Sequence, residues 1–338
     1  MDSIGIVGTG LMANVIAASC LKIGIPIHSV LSRDLDSARS FGEKYKISQE
    51  CCFSNEQSFY SDTALKAVYI ATPTALKHGH INQALRYKKH MLVEKPIPTS
   101  FLMNDVLSQV TQSELIFMDA SHFVHNDFMV ELPSLIHNHV GNITRIDAEF
   151  IWPSSDDGHI KFNPSLEPNG ALGDLGWYPI RILQSLCDCN DSMMLKSILF
   201  KNVRDCIVGF NAIGYSDNTI FNLSSSYRGA TVRQGLVISG DKGEIRVSDF
   251  VMPYCGSFVY GKTRDSLKVT ISSGFLPLIE KQEKHIAFSD HQHHQMLKGF
   301  QSYMSSGRNE SLSDYQHLML RTIAMMERVK EKAIVINV

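Results

Sequence analysis

Residues 4–13 read Ile4-Gly-Ile-Val-Gly8-Thr9-Gly10-Leu11-Met12-Ala13, a G-x-G-x-x-A pattern that follows an apolar run and opens a helical one. The first glycine permits a tight turn, the second lets an anion approach the backbone, and a small third residue allows the helix to pack closely on a sheet. Because the free N–H groups at a helix start attract an anion, the stretch predicts a dinucleotide-binding turn. The alternative is an ordinary glycine-rich turn.

From this turn to about residue 120, short apolar runs alternate with helical patterns, which is typical of βαβ units around a parallel sheet. The expected strands are Ser3-Val7, Ile27-Leu31, Ala67-Ala71, Met91-Glu94 and Leu115-Met118. The expected helices lie near Leu11-Ile23, Asp36-Tyr45, His78-Tyr87 and Ser100-Thr111. This part of the chain is therefore predicted to be an α/β Rossmann domain with a doubly wound parallel sheet.

After a predicted helix around Asn126-His139 the pattern changes to longer alternating segments, which favour an antiparallel sheet with one covered face. The expected elements are strands at Ile143-Ile151, Asn218-Tyr227 and Thr231-Ser239, a turn at Gly240-Gly243, and helices at Gly170-Cys187 and Ser313-Lys332. We predict an α/β domain at 1–121 and an α+β domain with a large, mostly antiparallel open sheet at 122–338. The last helix is free to pack back toward the first domain.

The overall composition limits the class of partner. The chain has 338 residues, 44% of them hydrophobic, and a formal net charge of -2, so two cores are expected and no basic field is available for nucleic acid or anionic lipid. No apolar stretch is long enough to span a bilayer. Seven cysteines without a zinc-ligand spacing favour reduced thiols in a cytoplasmic protein. A small-molecule partner fits best.

One histidine-rich segment invites a metal hypothesis. Asp290-His291-Gln-His293-His294 places several ligand-type residues together, but the sequence supplies no second carboxylate or cysteine group at a ligand spacing. A polar helix start capped by Ser289 or Asp290 explains the segment better. We therefore predict no metal site.

The residues after the second predicted strand bear on the choice of cofactor. An acidic residue there would hold the ribose 2′-OH of NAD, whereas this chain has Ser32-Arg33-Asp34. Ser32 can hydrogen-bond a 2′-phosphate, and Arg33 can pair with it bidentately while stacking on adenine. The pattern favours NADP(H) and leaves NAD(H) possible. The alternative is a solvated turn in which Asp34 caps the next helix.

A lysine follows the fourth predicted strand. Lys95 lies between Glu94 and Pro96, at the carboxyl end of a strand, where parallel sheets border their ligand crevice. Pro96 restricts Lys95 to an extended conformation, which favours a fixed role. The alternative is a solvated surface lysine.

The segment Gly170-Tyr178 offers a possible acid–base pair. Asp174 and Tyr178 are four residues apart, so both are expected on one face of a helix. The three glycines of the segment lower helix propensity and predict the close approach of another element or a ligand. The alternatives are a core aromatic at Tyr178 and a capping carboxylate at Asp174.

Hydride transfer is a reaction in which Lys95, Asp174 and Tyr178 would act together. Oxidising an alcohol with a nicotinamide removes a hydride from carbon and a proton from the hydroxyl, so one group must handle that proton. A phenol has a reference pKa near 10, and a neighbouring ammonium group such as that of Lys95 favours the phenolate. Lys95 and Tyr178 are therefore our predicted catalytic residues, with Asp174 orienting the lysine or a substrate hydroxyl.

Four motifs occur in a fixed order: Gly8-Thr9-Gly10, Ala71-Thr72-Pro73 with His78, Glu94-Lys95-Pro96, and Gly170-Ala-Leu-Gly-Asp-Leu-Gly-Trp-Tyr178. Together they resemble the glucose–fructose oxidoreductase/inositol dehydrogenase/MocA family of NAD(P)-dependent enzymes, and the resemblance covers essentially the whole chain. It implies that Lys95 and Tyr178 are catalytic and that Asp174 lines the substrate site. It also implies that the nicotinamide and its ribose are bordered by Thr72, Pro73, His78 and Glu94.

The predicted site thus has a cofactor part and a substrate part. The cofactor-binding residues are Gly8, Thr9, Gly10, Leu11, Met12, Ser32, Arg33, Ala71, Thr72, Pro73, His78, Glu94 and Lys95. The substrate-binding residues are Lys95, Trp152, Asp174, Trp177 and Tyr178.

The resemblance also suggests a branch and an assembly. The inositol dehydrogenase branch has His where this chain has Tyr178, and tyrosine there is similar to dimeric dihydrodiol dehydrogenases and NADP-linked xylose dehydrogenases. The run Pro168-Asn169-Gly170 departs from the three glycines that the family often has at this place. Family members commonly associate through the exposed face of the C-terminal sheet, so a homodimer or homotetramer is expected.

These observations predict an NADP(H)-dependent oxidoreductase that transfers a hydride between nicotinamide and a CH–OH/C=O group of a sugar, polyol or vicinal diol. The competing class is a non-catalytic, NADP-responsive regulatory protein of the same fold. An imine- or biliverdin-type reductase is a third possibility within the enzyme class.

Overall fold

The computed structural model describes residues 3–154, 158–189, 192–253, 264–275 and 277–338. Its contacts divide the chain into two compact units. The first unit extends to His122 and includes Gln292–Ile323, and the second comprises Phe123–His291 and Ala324–Val338.

The first unit contains a six-stranded sheet in which all neighbours are parallel, in the order β3-β2-β1-β4-β5-β6. The strands are β1 (Ile4–Val7), β2 (Ile27–Leu31), β3 (Cys52–Phe53), β4 (Ala67–Ile70), β5 (His90–Val93) and β6 (Phe117–Asp119). The central strands β1 and β4 are buried along their whole length, as continuous apolar runs predict for a sheet covered on both faces.

The connections of this sheet are helical. They are α1 (Leu11–Ile23), α2 (Leu35–Tyr45), α3 (Glu56–Tyr60), α4 (Thr74–Arg86) and α5 (Ser100–Gln112). Helix α1 ends at Gly24, whose φ of 76° lies in the left-handed region that glycine adopts without a steric penalty. Helix α2 begins at Asp34, whose carboxylate accepts a hydrogen bond from the Ser37 backbone N–H. The predicted doubly wound α/β architecture is confirmed.

The second unit contains a nine-stranded sheet in the order β14-β13-β12-β11-β7-β10-β9-β8-β15. Its strands are β7 (Ile143–Ile151), β8 (Met194–Lys201), β9 (Ile207–Ser216), β10 (Thr219–Ser226), β11 (Leu236–Gly240), β12 (Glu244–Val247), β13 (Ser266–Ser273), β14 (Glu280–Ala287) and β15 (Ala333–Asn337). Neighbours are antiparallel except for the pairs β7–β10 and β8–β15. The predicted mostly antiparallel sheet is confirmed.

The remaining helices are α6 (Asp127–Leu135), α7 (Gly170–Asp174), α8 (Trp177–Leu186), α9 (Gln292–Ser306) and α10 (Glu310–Glu331). Apolar side chains of α9 and α10, among them Met296, Phe300 and Leu312, belong to the core cluster of the first unit. Residues 292–323 therefore group with the first unit. The predicted boundary after residue 121 places them in the second domain. The sequence analysis allowed only the last helix to pack back toward the first domain.

The predicted helix Gly170-Cys187 is wrong as one element, because α7 and α8 are separate. The N–H groups of Leu175 and Gly176 both donate to the Ala171 carbonyl, and that of Tyr178 donates to Leu175. A Cβ on Gly176 would lie 2.4 Å from the Leu172 carbonyl oxygen and 2.6 Å from the Phe210 ring of β9. Close packing on β9 thus breaks the i to i−4 hydrogen bonding between Asp174 and Tyr178.

Two strand predictions also need correction. The two-residue strand β3 was not predicted, since two residues are too few to show an alternating pattern. The predicted strand Thr231-Ser239 begins only at Leu236, and residues before it form the isolated bridges Ile151–Arg233 and Gln234–Asp249.

Among the described residues we find no helix that combines the length and hydropathy needed to span a bilayer.

Candidate functional site

The glycine turn joins β1 to α1 and leaves space beside the start of the helix. Gly8 has a φ of 102°, and a Cβ there would lie 3.1 Å from the Ala71 carbonyl oxygen. Gly10 is exposed, and its missing side chain faces open space. In the described chain no side chain caps the start of α1, whose first residue Leu11 is 61% exposed. The first N–H groups of α1 are therefore open to an anion.

Asn14 supports this turn and was missed by the sequence analysis. Its Nδ2 donates to the carbonyl oxygens of Thr9 and Gly10 at 3.1 and 2.8 Å. Its Oδ1 accepts hydrogen bonds from Lys44 Nζ at 2.7 Å and from the Tyr45 hydroxyl at 2.8 Å, both on α2. These partners lie 30 and 31 residues away, so no local pattern could have identified them.

The residues that were predicted to select the cofactor differ in exposure. Ser32 is buried, and its hydroxyl lies 3.4 Å from the Thr9 hydroxyl. The Arg33 side chain is 97% exposed, and its Nε lies 3.8 Å from the Asp34 carboxylate. Hydrogen bonds from the Ser37 backbone and hydroxyl lower the pKa of Asp34, which caps α2. The capping alternative is thus correct for Asp34, while Arg33 extends from the same turn into solvent.

The loop after β4 carries unsatisfied polar atoms. Thr72 Oγ1 is buried and has no hydrogen-bond partner among the described residues. Pro73 directly precedes α4. On α4, His78 Nε2 lies 3.1 Å from the Asn82 amide, and within the described chain its Nδ1 is buried without a partner. Orphaned polar atoms are rare in native structures, so such atoms indicate a place where a ligand can bind.

His78 also borders a groove of about 870 Å³ between α4 and α5. Its lining includes Asn82, Arg86, Phe101 and Asp105. The imidazole predicted to border the nicotinamide therefore also lies beside this groove.

The segment after β5 places a buried carboxylate next to the predicted catalytic lysine. Glu94 is only 5% exposed and accepts a hydrogen bond of 2.5 Å from the Tyr69 hydroxyl. Burial raises the pKa of Glu94, and the opposing influences are the Lys95 ammonium, the Tyr69 hydrogen bond and the Lys77 ammonium. Lys95 is partly buried, and its peptide bond to Pro96 is cis. The lysine is thus not the freely solvated side chain of the alternative interpretation.

In the second unit, Tyr178 lies among aromatic rings at the start of α8. It is 5% exposed and makes edge contacts with Phe123 and Phe150, with centroid distances of 5.4 and 5.2 Å. Phe150 also contacts Trp152 at 6.3 Å. The structure therefore places the predicted substrate residues Trp152 and Tyr178 on the same phenylalanine.

Asp174, at the end of α7, is hydrogen-bonded to a buried tyrosine. Its carboxylate accepts a hydrogen bond of 3.2 Å from the hydroxyl of Tyr227, which follows β10 and is 1% exposed. Burial raises the pKa of Tyr227, and the Asp174 carboxylate raises it further, so this phenol stays a donor at neutral pH. Sequence analysis missed Tyr227 because it lies 53 residues from Asp174. Trp177, predicted to contact substrate, is fully enclosed.

A half-buried histidine near the start of the second unit makes its stability depend on pH. Desolvation of His125 by the surrounding protein, together with the Arg181 guanidinium, lowers its pKa from 6.5 to about 4. The unfolded chain then binds a proton that the folded chain rejects. Stability should fall as the pH drops from about 6.5 to about 4, with a total loss of about 3 kcal/mol. Urea unfolding at pH 7 and pH 4, monitored by tryptophan fluorescence, measures this loss.

The variant His125→Gln should lose this part of the pH dependence, whereas His137→Gln, at an exposed histidine, should keep it. Equal pH dependence in the wild type and His125→Gln would show that another group is responsible.

The described residues contain no group of three or more His, Cys, Asp or Glu side chains placed to hold a metal ion. Asp290 instead accepts a hydrogen bond from the His291 backbone N–H just before α9 begins at Gln292. His293 is buried with its ring 4.5 Å from that of His122. The histidine-rich segment therefore forms the start of a helix, as predicted.

The first unit combines a glycine turn with a 3-2-1-4-5-6 parallel sheet, which is the architecture of dinucleotide-binding domains. Residues 3–116 match the family model described as an oxidoreductase family with an NAD-binding Rossmann fold, GFO_IDH_MocA. The match covers about a third of the chain, so the chain resembles this family through its N-terminal domain, in agreement with the predicted resemblance.

Two curated relatives illustrate the match. The chain is 26% identical over 220 residues to a dTDP-3,4-didehydro-2,6-dideoxy-alpha-D-glucose 3-reductase from Actinomadura kijaniata, covering 61% of this chain and 65% of the relative. It is 26% identical over 189 residues to a scyllo-inositol 2-dehydrogenase (NADP(+)) from Bacillus subtilis (strain 168), covering 53% and 56%. The matched regions thus span less than two thirds of these relatives' lengths.

The fold as a whole resembles solved structures. A 3-ketoreductase from Actinomadura kijaniata, in complex with NADP and TDP-benzene, superposes with a TM-score of 0.85 at 19% identity and covers 99% of each chain. An aldose-aldose oxidoreductase from Caulobacter crescentus superposes with a TM-score of 0.83 at 16% identity, covering 98% of this chain and 96% of that one. At these identities the likeness establishes the fold.

Proposed function

We propose that the protein is an NADP(H)-dependent oxidoreductase that acts on a CH–OH/C=O group of a sugar, polyol or vicinal diol. The observation that carries the proposal is Lys95, which directly follows the buried carboxylate of Glu94 in the same unit as the glycine turn. Lys95 is partly buried at the carboxyl end of the sheet, where a positive charge can stabilise negative charge on a substrate oxygen.

The residues of the first unit fit a dinucleotide. Gly8 and Gly10 leave the room that a pyrophosphate needs, and the start of α1 supplies N–H donors. The buried Thr72 hydroxyl, which lacks a partner among the described residues, can bond to the nicotinamide end of the ligand. Ser32 and Arg33 lie where a 2′-phosphate would need a hydroxyl and a cation. The NADP named for the relatives above supports the same cofactor.

In this mechanism the bound nicotinamide supplies or accepts the hydride. Lys95 holds a positive charge at the substrate oxygen and stabilises the negative charge that develops there. Tyr178 holds or delivers the proton of that oxygen. Asp174, held by the Tyr227 hydrogen bond, accepts a bond from a neighbouring substrate hydroxyl and so orients the carbon that reacts.

The substrate class rests on the relatives and on the chemistry of the second unit. The relatives named above are named for a dTDP-linked keto sugar and for an inositol, and the inositol has a hydroxyl group on each carbon next to the reacting one. A carboxylate such as Asp174 can accept hydrogen bonds from such a hydroxyl, while the aromatic rings around Tyr178 can pack against a sugar ring. The predicted tyrosine branch stays a prediction.

The test is nicotinamide absorbance at 340 nm across a panel of aldoses, keto sugars, inositols, dihydrodiols and dTDP-linked keto sugars, with NADPH or NADP⁺ present. At least one member of the panel should turn over faster with the phosphorylated cofactor than with NAD(H). If NADPH binds but no member turns over, and a protein partner binds in an NADP-dependent manner, the protein is a regulator of the same fold.

The exposed Arg33 should control cofactor choice. Arg33→Ala removes a charge-assisted hydrogen bond worth about 1.5–3 kcal/mol, so the NADPH dissociation constant should rise about tenfold or more while that of NADH changes little. Fluorescence titration with the two dinucleotides measures both constants. Arg39→Ala, at an exposed arginine on α2, is the control and should change neither. Parallel loss of NADH and NADPH affinity would contradict the assignment.

The proposed assembly uses the sheet of the second unit. Met194, Tyr215 and Ile220 are neighbours across three strands and are 40–65% exposed, and Ile334 and Ile336 lie on the adjoining edge strand. An apolar patch of this kind is typical of a surface that another molecule covers. A homodimer or homotetramer through this face, and a cytoplasmic location, stay predictions.

A further inference from the structure

Lys77 is a buried lysine outside the motifs considered above. It lies on α4 and is only 2% exposed. Its Nζ donates to the Pro96 carbonyl oxygen at 2.8 Å and to the Thr74 hydroxyl at 3.4 Å. Lysine is almost never fully buried unless it is paired, because removing an ammonium group from water is costly. Favourable interactions must therefore offset the cost of burying the Lys77 ammonium group.

The Pro96 carbonyl ties Lys77 to the backbone of the predicted catalytic segment. Pro96 directly follows Lys95, so a hydrogen bond at this carbonyl fixes the chain where the Lys95 side chain begins. The bond links α4 to the segment that follows β5, and its two residues are 19 positions apart in the sequence. Such a charge-assisted bond is stronger and more directional than one between neutral groups.

The Glu94 carboxylate supplies the compensation. The Tyr69 hydroxyl on β4 donates a hydrogen bond of 2.5 Å to it, and the Lys95 backbone N–H donates another. The ammonium groups of Lys95 and of Lys77 on α4 act on it through their charges and lower its pKa. One buried carboxylate thus interacts with two lysines. Without Lys77, the carboxylate would attract Lys95 alone, and the Lys95 ammonium would be drawn more strongly to Glu94.

We propose that Lys77 is a positioning residue that holds the Glu94-Lys95-Pro96 segment and shares the Glu94 carboxylate, so that the Lys95 ammonium stays available to the substrate. This inference rests on the proposed function, since it assigns Lys77 its role through Lys95. It predicts an effect on turnover that a lysine with a purely structural role would not have.

The test compares Lys77→Met with Lys89→Met. Lys89 is also buried in the first unit, and its Nζ donates to the carbonyl oxygens of Asp62 and Leu65 at 2.6 and 2.8 Å. Both variants lose a buried ammonium with two acceptors, but only Lys77 acts on Glu94. Lys77→Met should lower kcat about tenfold or more with the NADPH dissociation constant within about threefold of the wild type, whereas Lys89→Met should keep kcat.

A second readout follows the Glu94 carboxylate directly. ¹³C NMR of carboxyl-labelled glutamate, with Glu94→Gln to assign the resonance, should show a higher pKa of Glu94 in Lys77→Met and an unchanged one in Lys89→Met. If Lys77→Met does not fold, Lys77→Gln keeps a donor for the Pro96 carbonyl and should still raise the pKa of Glu94. An unchanged Glu94 pKa, or equal losses of kcat in the two lysine variants, overturns the proposal.

The two proposals fail in different ways. If the wild type binds NADPH but turns over no substrate of the panel, the proposed function fails, and the Glu94 titration alone decides about Lys77. If the wild type turns over a substrate and Lys77→Met does so at the same rate, the positioning role fails while the oxidoreductase assignment stands.

Discussion

Lys95→Met is expected to reduce kcat by about 10²–10⁴-fold, the range that a positioned proton-handling or charge-stabilising group contributes. Methionine keeps most of the length of the lysine side chain and removes its charge and its donors. The NADPH dissociation constant should stay within about threefold, because the proposal assigns the pyrophosphate and the 2′-phosphate to the glycine turn and to Ser32 and Arg33. Steady-state kinetics on the best panel substrate and fluorescence titration with NADPH measure the two quantities.

The matched control is Lys66→Met, at an exposed lysine of the same unit whose Nζ donates to the Thr63 carbonyl. It should leave kcat unchanged. Turnover by Lys95→Met at the wild-type rate would eliminate the mechanism. Loss of NADPH binding together with turnover would instead show that Lys95 acts mainly in holding the cofactor.

The second large effect concerns the stability of the unit that carries Asp174 and Tyr178. Gly170 starts α7 with a φ of 44°, and a Cβ there would lie 2.2 Å from the Ile207 carbonyl oxygen of β9. Gly170→Ala must therefore adopt an unfavourable left-handed conformation and also displace backbone. The two costs together should lower the free energy of unfolding by about 3 kcal/mol.

Tryptophan fluorescence during urea unfolding is a suitable measurement, because both tryptophans of the chain, Trp152 and Trp177, belong to the second unit. The control is Gly235→Ala in the same unit, where a Cβ would make only ordinary contacts beginning at 3.4 Å from Glu149 Oε1. That variant should change stability by less than about 0.5 kcal/mol. A Gly170→Ala protein as stable as the wild type would mean that α7 can move away from β9 at little cost.

Local features of the sequence were sufficient for most of the fold. The glycine turn, the apolar runs at Ile27-Leu31 and Ala67-Ala71, and the alternation at Ile143-Ile151 each depend on residues within a few positions of one another. Strand β7 has the predicted bounds, and β2 does as well. Periodicity of side chains along a strand or helix is a property of the backbone geometry, which is why it can be read without knowing the partners.

The candidate site was predictable only in part. The motif residues Glu94 and Lys95 stand next to each other in the sequence, so their association followed from the chain itself. The break between Asp174 and Tyr178 did not, because it arises where Gly176 packs against Phe210, a residue of another element. Spacing of four residues predicts a shared helical face only if the hydrogen bonding is uninterrupted.

The sequence by itself determined the two architectures, the turn that suits a dinucleotide and the identity of the lysine and tyrosine that could handle a proton. Only the tertiary structure brought Lys44 to Asn14, Lys77 to Pro96, and Tyr227 to Asp174. Each of these hydrogen bonds between elements joins residues 19 to 53 positions apart. Such bonds form only after the strands and helices have packed, which is why a local sequence pattern does not reveal them. Once they are buried, leaving one of these polar groups without a partner would cost free energy.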